Sequence, residues 1–400
     1  MRIAIAGQTY RPPLNGQGVF TIHLAERLAQ AGHQVMVLMP SERGRAYQSC
    51  QNGVLIRAIT AIPLYPFYTD VHVTPWPGRQ VGPQLDEFQP DIVHLQDHYP
   101  LCRSVLHAAR RRGLAVIGTN HFLPENILLE LPFFSLWQTP LKRLLWKWVL
   151  AVFNQVDIVT TPTETAAKIL GRQNLPVPIQ AISCGVDLDH FRPDTRLNRV
   201  ELRLRYGLDP HATLLLYVGR LDREKRVDLL VEALHRLHRP DLQLAVAGRG
   251  TQATAWQTLA RRLELGRQVV FTGYVPAEDL VALLNSADIF CMPSDAELQS
   301  IATLEAMGTG RPIIAAAAGA LPELVKNGVN GYLFQADQVE DAARCIAKLA
   351  DQPERWAALG TASRAIVQRH DLSQTVQQYE RLYYSLTEVW AQPGFKTNLR

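Results

Sequence analysis

Two glutamates, Glu297 and Glu305, stand eight positions apart in the stretch ELQSIATLE. If the stretch were one continuous helix, rising about 1.5 Å per residue, their carboxylates would lie roughly 12 Å apart. That distance is too large for both carboxylates to act on one atom, and it exceeds the separation of the two carboxylates in a glycosidase. The pair therefore indicates an elongated ligand that is held at both ends, with a helix start between the two carboxylates.

Two cations stand where a diphosphate could bind. Arg220 follows the apolar run TLLLYVG, and Lys225 comes five residues later, where a helix is predicted to begin. Cations beside a helix N-terminus make charge-assisted hydrogen bonds to phosphate, and the helix dipole adds to the attraction. Spacing alone leaves open whether the two side chains are instead solvated surface charges.

Two loops in the first half of the chain carry further candidates. Gly16 and Gly18 lie between the first predicted strand and helix, where glycine permits a positive φ or the close approach of a phosphate or acceptor; a simple tight turn is the alternative. His121 follows the run LAVIGTN at the end of a predicted strand. An imidazole there could exchange a proton or bind a substrate hydroxyl, or its hydrogen bonds could be satisfied by backbone.

Three further patterns are incomplete as ligand sites. Residues 248–253 read GRGTQA and match a dinucleotide fingerprint, but the next predicted strand ends VVFTGYVP without the required acidic residue. A turn of small residues that lets a helix pack closely on the sheet explains the glycines better. Asp187 and Asp189 could hold a metal, yet they fall in a predicted linker turn. The spacing of three histidines is not that of metal ligands, namely His94, His98 and His121. We predict no metal, no other cofactor and no nucleotide-hydrolysing P-loop.

The composition is that of a globular protein. Of its 400 residues, 47% are hydrophobic and 20% charged, which suits two or three domains with apolar cores. With 41 basic and 37 acidic residues, the net charge of +4 is too small to predict binding to nucleic acid. The five cysteines are dispersed as in reduced proteins, and neither a signal peptide nor a membrane-spanning apolar run is evident. We therefore expect a cytoplasmic protein, unless it lies on a membrane surface.

Apolar strands alternate with amphipathic helices in two separate runs, joined around CGVDLDHFRPDTR. This alternation predicts an α/β protein made of two doubly wound, Rossmann-like domains facing a central cleft. We place the domains at 1–190 and 191–372, with a C-terminal helix in 373–400 that returns to the first domain. Ligands of such sheets bind at the carboxyl ends of the strands, where the candidates above are found.

One segment, residues 127–153, combines aromatic and basic side chains with two prolines. This composition favours contact with a membrane interface, and the alternative is a helix whose apolar face packs on the sheet. The arginines at 110–112 would add attraction to anionic lipid headgroups. The predicted membrane-contact residues are Phe133, Phe134, Trp137, Lys142, Arg143, Trp146 and Lys147.

Five motifs in order along the chain resemble the retaining glycosyltransferases of family 4, which have the GT-B architecture. The motifs are GVDLDHF, YVGRLDREKRVDLLVEAL, VVFTGYVP, CMPS and the pair of glutamates with seven residues between them. The resemblance covers nearly the whole chain. It implies that a hexose leaves a nucleotide diphosphate donor by front-face attack, while the departing diphosphate oxygen takes the proton of the acceptor.

The resemblance also implies roles for the catalytic candidates. Arg220 and Lys225 would hold the donor diphosphate. Glu305 would bind the ribose hydroxyls and Glu297 the hydroxyls of the transferred sugar, so that the two carboxylates grip opposite ends of a nucleotide sugar. His121 would line the sugar site from the N-terminal domain.

Backbone groups complete the implied donor site. The N–H groups of Ser300 and Ile301 would meet the sugar and phosphate, and the loop around Val275 would meet the base. Gly16 and Gly18 would allow close approach of the donor.

One departure from the family pattern points to the acceptor. Many members read Phe-Gly where this chain has Gln299 and Ser300, and ELQSIATLEAM looks more like the branch that glycosylates diacylglycerol. We expect glucose transfer from a uridine donor to a lipid hydroxyl, on an anionic membrane at the cytosolic face. The alternatives are a soluble family 4 enzyme that uses GDP-mannose or a UDP-sugar on a saccharide or small molecule, and a non-catalytic membrane-binding protein on the same scaffold.

Overall fold

The computed structural model describes residues 1–11, 15–64, 68–124 and 138–391, and the chain folds as two compact units. Among the described residues, the first unit comprises those of 1–124, 138–184 and 373–391, and the second those of 185–372. Each unit is a predominantly parallel sheet with connecting helices. The predicted α/β class and the two Rossmann-like halves are confirmed.

The first unit is organised around a sheet of eight strands. The strands of this unit are β1 (Arg2–Ala6), β2 (Gln34–Pro40), β3 (Tyr47–Gln51), β4 (Val54–Ile59), β5 (Ile62–Leu64), β6 (Tyr68–Val73), β7 (Ile92–Leu95), β8 (Ala115–Thr119), β9 (Ile158–Thr161) and β10 (Ile179–Ala181). The order in the sheet is β10-β9-β8-β7-β1-β2-β4-β3, and β5 pairs separately with β6. All neighbours in the large sheet are parallel except β3 and β4.

Helices connect these strands, as the alternation of apolar and amphipathic segments predicted. They are α1 (Gly16–Gln30), α2 (Gly78–Phe88), α3 (Pro100–Arg111), α4 (Gln138–Phe153) and α5 (Glu164–Gly171). Every residue of β7 and β8 is buried, as expected for parallel strands that are covered on both faces.

The second unit has a six-stranded sheet in which every pairing is parallel. Its strands are β11 (Thr213–Val218), β12 (Leu242–Ala247), β13 (Val269–Gly273), β14 (Ile289–Met292), β15 (Ile313–Ala316) and β16 (Gly331–Phe334). The order is β13-β12-β11-β14-β15-β16. Because all six strands run in one direction, the loops that follow them lie at one edge of the sheet.

The helices of the second unit follow the same alternation. They are α6 (Arg199–Arg205), α7 (Val227–Leu237), α8 (Ala253–Arg262), α9 (Ala277–Ser286), α10 (Ile301–Gly308), α11 (Leu321–Leu324), α12 (Val339–Ala350) and α13 (Trp356–Val367). Short 3₁₀ turns occur at Arg223–Lys225, Pro353–Arg355 and Gln368–His370.

The last helix, α14 (Leu372–Ala391), packs within the first unit from Ser373 onward. The side chains of Tyr379 and Tyr383 are completely buried, and His33 Nε2 lies 2.8 Å from a carboxylate oxygen of Glu380. Among the described helices, none has the length and apolar character needed to cross a bilayer.

Candidate functional site

Three loops bring most of the predicted donor-binding residues to one edge of the second sheet. Arg220 follows β11, Val275 follows β13, and Glu297 follows β14. β13 and β11 flank β12, and β14 pairs with β11, so the ends of these strands are neighbours. The sheet thereby places Val275 and Glu297 at the same edge as Arg220, although they lie 55 and 77 positions further along the chain.

Arg220 is held by two acidic neighbours. Its guanidinium pairs with Asp222 and, at 2.7 Å, with a carboxylate oxygen of Glu224. Burial opposes the charge of Arg220, but the neighbouring acidic groups, Asp222 and Glu224 foremost, together outweigh it and raise the pKa of the guanidinium. The side chain keeps 45% of its surface exposed, so part of a fixed cation faces solvent at the strand edge.

Lys225 and Glu297 form an ion pair. Lys225 Nζ lies 2.7 Å from a carboxylate oxygen of Glu297, and their side chains are only 14% and 10% exposed. Lys225 ends the 3₁₀ turn before α7, while Glu297 precedes α10. The cation predicted for the diphosphate and the carboxylate predicted for the sugar are therefore in direct contact.

The backbone of Glu297 is fixed by the loop after β15. Its carbonyl oxygen accepts the N–H of Ala320 at 2.9 Å. Gly319 has a φ of +52°, and a Cβ there would lie 2.5 Å from the same carbonyl oxygen. Glycine is required because both the backbone conformation and the close approach exclude a side chain.

Glu305 lies on α10 and differs from Glu297 in its surroundings. The residue is 8% exposed, and no hydrogen bond to its carboxyl group comes from the described residues. Burial raises the pKa of Glu305 to about 8. A carboxyl group in this state can donate a hydrogen bond when protonated and accept one when ionised, and both suit the hydroxyl groups of a ligand.

Ser300 is the N-cap of α10. Its side-chain oxygen accepts the N–H of Thr303 at 3.3 Å and the hydroxyl of Thr303 at 2.8 Å. The N–H groups of Ser300 and Ile301 therefore stand at the start of the helix, where backbone donors lack intrahelical partners and suit an anion.

Val275 is 9% exposed and belongs to the core of the second unit, so little of it faces solvent. Its neighbour Tyr274 is 60% exposed, and the guanidinium of Arg249 lies 5.4 Å from the centre of the Tyr274 ring. The sequence did not single out these two side chains as site residues, although both follow strands at the predicted ligand edge.

The glycines of 248–253 pack against backbone. A Cβ on Gly248 would lie 1.8 Å from the carbonyl oxygen of Gly219, and one on Gly250 would lie 2.5 Å from the backbone nitrogen of Leu221. The N–H of Leu221 also donates to the carbonyl oxygen of Arg249 at 2.8 Å. The small residues thus let two loops meet on either side of Arg220, where the sequence had suggested contact between a helix and the sheet.

In the first unit, Gly16 and Gly18 lie in the first turn of α1. Neither has a positive φ, so the positive φ and the tight turn are excluded, while close approach of a phosphate or acceptor stays a prediction. The N–H of Gly18 instead donates at 2.9 Å to the side chain of Asn15, the N-cap of the helix.

His121 follows β8, and its partner is a side chain rather than backbone. His121 Nε2 lies 3.1 Å from Gln96 Oε1, and its ring centre lies 5.1 Å from that of Phe20. Burial lowers the pKa of His121 to about 3, so the ring is neutral at physiological pH.

The polar residues that follow β7 were not predicted from the sequence as site residues. Asp97, which is 3% exposed, accepts the N–H of Gln8, the N–H of Tyr99 and, at 3.0 Å, the amide nitrogen of Gln17. Its carboxylate therefore ties the loop before α1 to the loop before α3. Burial raises the pKa of Asp97. The run QDH directly after the apolar strand IVHL was the available signal.

The predicted membrane contact is partly wrong. Trp146 is 5% exposed and packs in the core of the first unit with Val149 and Phe153, because the apolar face of α4 faces the sheet. The residues of this prediction that α4 exposes are Lys142, Arg143 and Lys147. Three others lie outside the described residues, namely Phe133, Phe134 and Trp137.

The arginines at 110–112 also differ from the prediction. Arg110 pairs with Asp157 at 3.0 Å, and Arg112 pairs with Asp86 at 2.7 Å. Two of the three charges therefore have acidic partners within the first unit, which reduces the attraction expected for anionic lipid.

Asp187 has a local role in the linker. Its Oδ1 accepts the N–H groups of Asp189 and His190, both at 3.1 Å, as in a turn closed by an aspartate side chain. Among the described residues, no three acidic, histidine or cysteine side chains are grouped as metal ligands.

Family models match both halves of the chain. Residues 14–190 match Glycosyltransferase Family 4, and residues 199–366 match Glycosyl transferases group 1. D-inositol 3-phosphate glycosyltransferase 2 of Catenulispora acidiphila is 30% identical over 371 residues, which cover 86% of this chain and 84% of that protein. The chain belongs to glycosyltransferase family 4.

Two other relatives of this glycosyltransferase share less of its length. Sulfoquinovosyl transferase SQD2 of Arabidopsis thaliana is 25% identical over 331 residues, which are 81% of this chain but only 62% of the relative. GDP-mannose-dependent alpha-(1-6)-phosphatidylinositol monomannoside mannosyltransferase of Mycolicibacterium smegmatis is 34% identical over 221 residues, which are 53% of this chain and 57% of the relative. The chain thus spans less than two thirds of either protein.

A solved structure supports the fold of the glycosyltransferase. Anabaena Alr3699/HepE in complex with UDP-glucose matches with a TM-score of 0.76 at 19% identity, covering 96% of this chain and 100% of the other. The architecture is GT-B, as the motifs implied.

Proposed function

We propose that this glycosyltransferase transfers glucose, with retention of configuration, from UDP-glucose to a hydroxyl group of a membrane lipid such as diacylglycerol. The observation that carries the donor part is the edge of the second sheet where Arg220, Lys225 and Glu297 lie together with the start of α10. The UDP-glucose complex of the similar Anabaena protein supports the same class of donor.

The charges at this edge suit a diphosphate in the middle of a long ligand. Arg220 and Lys225 supply positive charge, and the N–H groups of Ser300 and Ile301 supply hydrogen-bond donors at a helix start. Glu305 is then assigned to the ribose hydroxyls, because a carboxyl group with a pKa near 8 can exchange hydrogen bonds with a neutral diol without excess negative charge.

In the proposed reaction, the bond between the anomeric carbon and the diphosphate oxygen breaks. The acceptor oxygen bonds to the same face of that carbon, and its proton passes to the departing diphosphate oxygen. Arg220 and Lys225 stabilise the negative charge that develops on the leaving group. Glu297 is assigned to orient the sugar hydroxyls, since its contact with Lys225 fixes the position of the carboxylate beside the group assigned to the diphosphate. The scheme requires no metal or other cofactor.

Support for a lipid acceptor comes from α4. Its exposed surface carries Arg143, Leu144 and Lys147, with Leu144 62% exposed. Cations around an exposed apolar side chain suit the interface of an anionic membrane, which we place at the cytosolic face. The relative whose name includes phosphatidylinositol monomannoside is consistent with a lipid acceptor.

A soluble acceptor is the second candidate. The relative named D-inositol 3-phosphate glycosyltransferase 2 covers the chain more completely and points to a small polar acceptor. The relative whose name includes GDP-mannose supports a guanosine diphosphate sugar as the alternative donor.

Nucleotide release separates these alternatives. UDP-glucose and GDP-mannose are each incubated with the full chain alone, with diacylglycerol in vesicles that contain anionic lipid, or with D-inositol 3-phosphate. We expect UDP release that diacylglycerol stimulates. Release of GDP instead would correct the donor alone, and turnover that ignores lipid but responds to D-inositol 3-phosphate would favour the soluble reaction. Vesicle binding without release of either nucleotide would contradict the proposed transfer reaction and support a non-catalytic membrane-binding protein.

A further inference from the structure

Four side chains of the first unit form a hydrogen-bonded series. His121 Nε2 lies 3.1 Å from Gln96 Oε1, and Gln96 Nε2 lies 3.3 Å from His94 Nε2. His94 Nδ1 lies 2.8 Å from the hydroxyl oxygen of Tyr383, 289 positions later in the chain. The series connects the loop after β8 to α14 through the end of β7.

Gln96 gives these hydrogen bonds a direction, because the two ends of an amide differ. Its oxygen can only accept, so His121 carries its proton on Nε2. Its nitrogen can only donate, so His94 Nε2 is unprotonated and the His94 proton lies on Nδ1, from which it is donated to Tyr383. Burial lowers the pKa of both imidazoles to about 3, so each neutral ring has a single N–H.

The hydroxyl groups around His94 fit this assignment. Thr119 Oγ1 lies 2.5 Å from His94 Nε2, where it can donate to the unprotonated nitrogen. Thr119 Oγ1 also lies 2.6 Å from Thr160 Oγ1, which is 3.2 Å from the hydroxyl of Tyr379. Because these groups are buried, leaving any of them unpartnered would be unfavourable, and the series is held in one arrangement.

In this arrangement, the Nδ1 atom of His121 has no hydrogen-bond partner among the described residues. Within the part of the chain that the structure describes, the only hydrogen bond of the His121 ring is the one from Nε2 to Gln96. With the proton on Nε2, the Nδ1 atom is an acceptor. Which nitrogen of a histidine accepts is determined by the hydrogen bond that the other nitrogen makes.

We propose that Gln96 is a positioning residue that keeps His121 in the Nε2–H form, so that Nδ1 accepts a hydrogen bond from a hydroxyl group of a substrate. His94 and Tyr383 are positioning residues one and two steps further away, and they hold the Gln96 amide in the required orientation. This inference rests on the proposed function, because the hydroxyl group belongs to the substrate of that reaction.

The tautomer can be measured on the free protein without any substrate. The full chain is labelled with ¹⁵N-histidine, and long-range ¹H–¹⁵N spectra are recorded, with the His121 signals assigned from Phe substitution at that position. The wild-type protein is expected to show His121 with its proton on Nε2. Observation of the Nδ1–H form would overturn the proposal, because it would require the opposite orientation of the Gln96 amide.

Two substitutions of Gln96 then test its role. Gln96→Leu removes the amide and is expected to give a mixture of His121 tautomers, with kcat lowered about tenfold, as for the loss of one ordinary hydrogen bond, and the KM for UDP-glucose little changed. Gln96→Glu keeps an accepting oxygen and is expected to retain the proton on Nε2 and to recover part of kcat. A His121 spectrum that both variants leave unchanged would refute the positioning role, even if both variants were less active.

A matched pair on α14 tests the far end of the series. Tyr383→Phe removes the hydroxyl group that faces His94, while Tyr384→Phe removes one from a side chain that is 48% exposed. Only the first is expected to shift the His94 and His121 signals and to lower kcat. Equal effects of the two would contradict the proposal. If the spectra agree with it but no nucleotide sugar is turned over, the proposed function fails and the hydrogen-bonded series stands.

Discussion

Lys225 Nζ and a carboxylate oxygen of Glu297 lie 2.7 Å apart although the residues are 72 positions apart in the chain. The contact joins the loop after β11 to the loop after β14. In the proposed site, it couples the group assigned to the diphosphate with the group assigned to the transferred sugar. A substitution of either residue therefore perturbs both assignments.

A double-mutant cycle of Lys225→Met and Glu297→Gln measures this coupling. Removing one partner leaves the other largely buried charge unpaired, so each single variant is expected to lose about 3–5 kcal/mol of unfolding free energy. The double variant is expected to be more stable than the sum of the single losses predicts, by about 0.5–3 kcal/mol. Denaturant unfolding followed by circular dichroism gives all four values, and strict additivity would show that the contact is absent in solution.

Glu305 gives stability an unusual dependence on pH. Burial raises its folded pKa from 4.5 to about 8, so the folded state keeps a proton that the unfolded state releases above pH 4.5. Unfolding free energy is therefore expected to fall as pH rises between these two values, by up to about 1.4 kcal/mol per unit, and to level off above the folded pKa. The variant Glu305→Gln should lack this component. Parallel stability curves for the two proteins between pH 5 and 8 would contradict it.

Donor affinity tests the ribose assignment of the same residue. Glu305→Ala is expected to weaken UDP binding by about 0.5–1.5 kcal/mol, the range for ordinary hydrogen bonds, because a carboxyl group with a pKa near 8 is largely protonated at neutral pH. Titration calorimetry with UDP measures the change. Unchanged affinity in a folded variant would remove Glu305 from the ribose role.

Arg220 is expected to matter for turnover beyond its part in folding. Its loss leaves Asp222 and the buried Glu224 without their cation, but nearly half of its side chain is exposed and its charge is held at the strand edge. Arg220→Ala should lower kcat by at least about 100-fold, as for the loss of a group that stabilises a developing charge. Arg236→Ala is the control, since Arg236 is 53% exposed and pairs with Glu340 on the surface of the same unit. Equal losses of stability and turnover in Arg220→Ala would make that residue structural.

The exposed face of α4 offers a test of membrane association. Arg143→Glu/Lys147→Glu reverses two exposed charges, and Lys168→Glu/Arg172→Glu reverses two others at the same spacing on and just after α5. Each lost cation near an anionic surface is expected to reduce binding by about 1 kcal/mol, with reversal adding repulsion. Sedimentation with anionic vesicles compares the variants. Equal binding by both would exclude this face of α4 as the contact.

Much of the proposed donor site at the edge of the second sheet could be predicted from the sequence. The run before Arg220 and the run before Glu297 are short, apolar and separated by helical segments, which is the pattern of parallel strands. Parallel strands place the residues that follow them at one edge, so the candidates could be grouped without coordinates. A helix start between Glu297 and Glu305 was likewise predicted, and Ser300, a favoured N-cap residue, begins α10 there.

The burial of Trp146 in the core of the first unit could not be predicted in this way. A helix with basic and aromatic residues satisfies the same pattern whether its apolar face meets lipid or the core of its own domain. Only the packing of α4 against the first unit decides that Trp146 is buried while Lys147 is exposed.

The sequence by itself determined the order of strands and helices, the positions of the loops at the strand ends, and the family to which their motifs belong, because these depend on local periodicity and residue type. Only the tertiary structure decided which side chains meet. The pairs Lys225 with Glu297 and His94 with Tyr383 are separated by 72 and 289 positions. No local pattern encodes such contacts, since they arise when packing of the strands and of α14 brings distant segments within hydrogen-bonding distance.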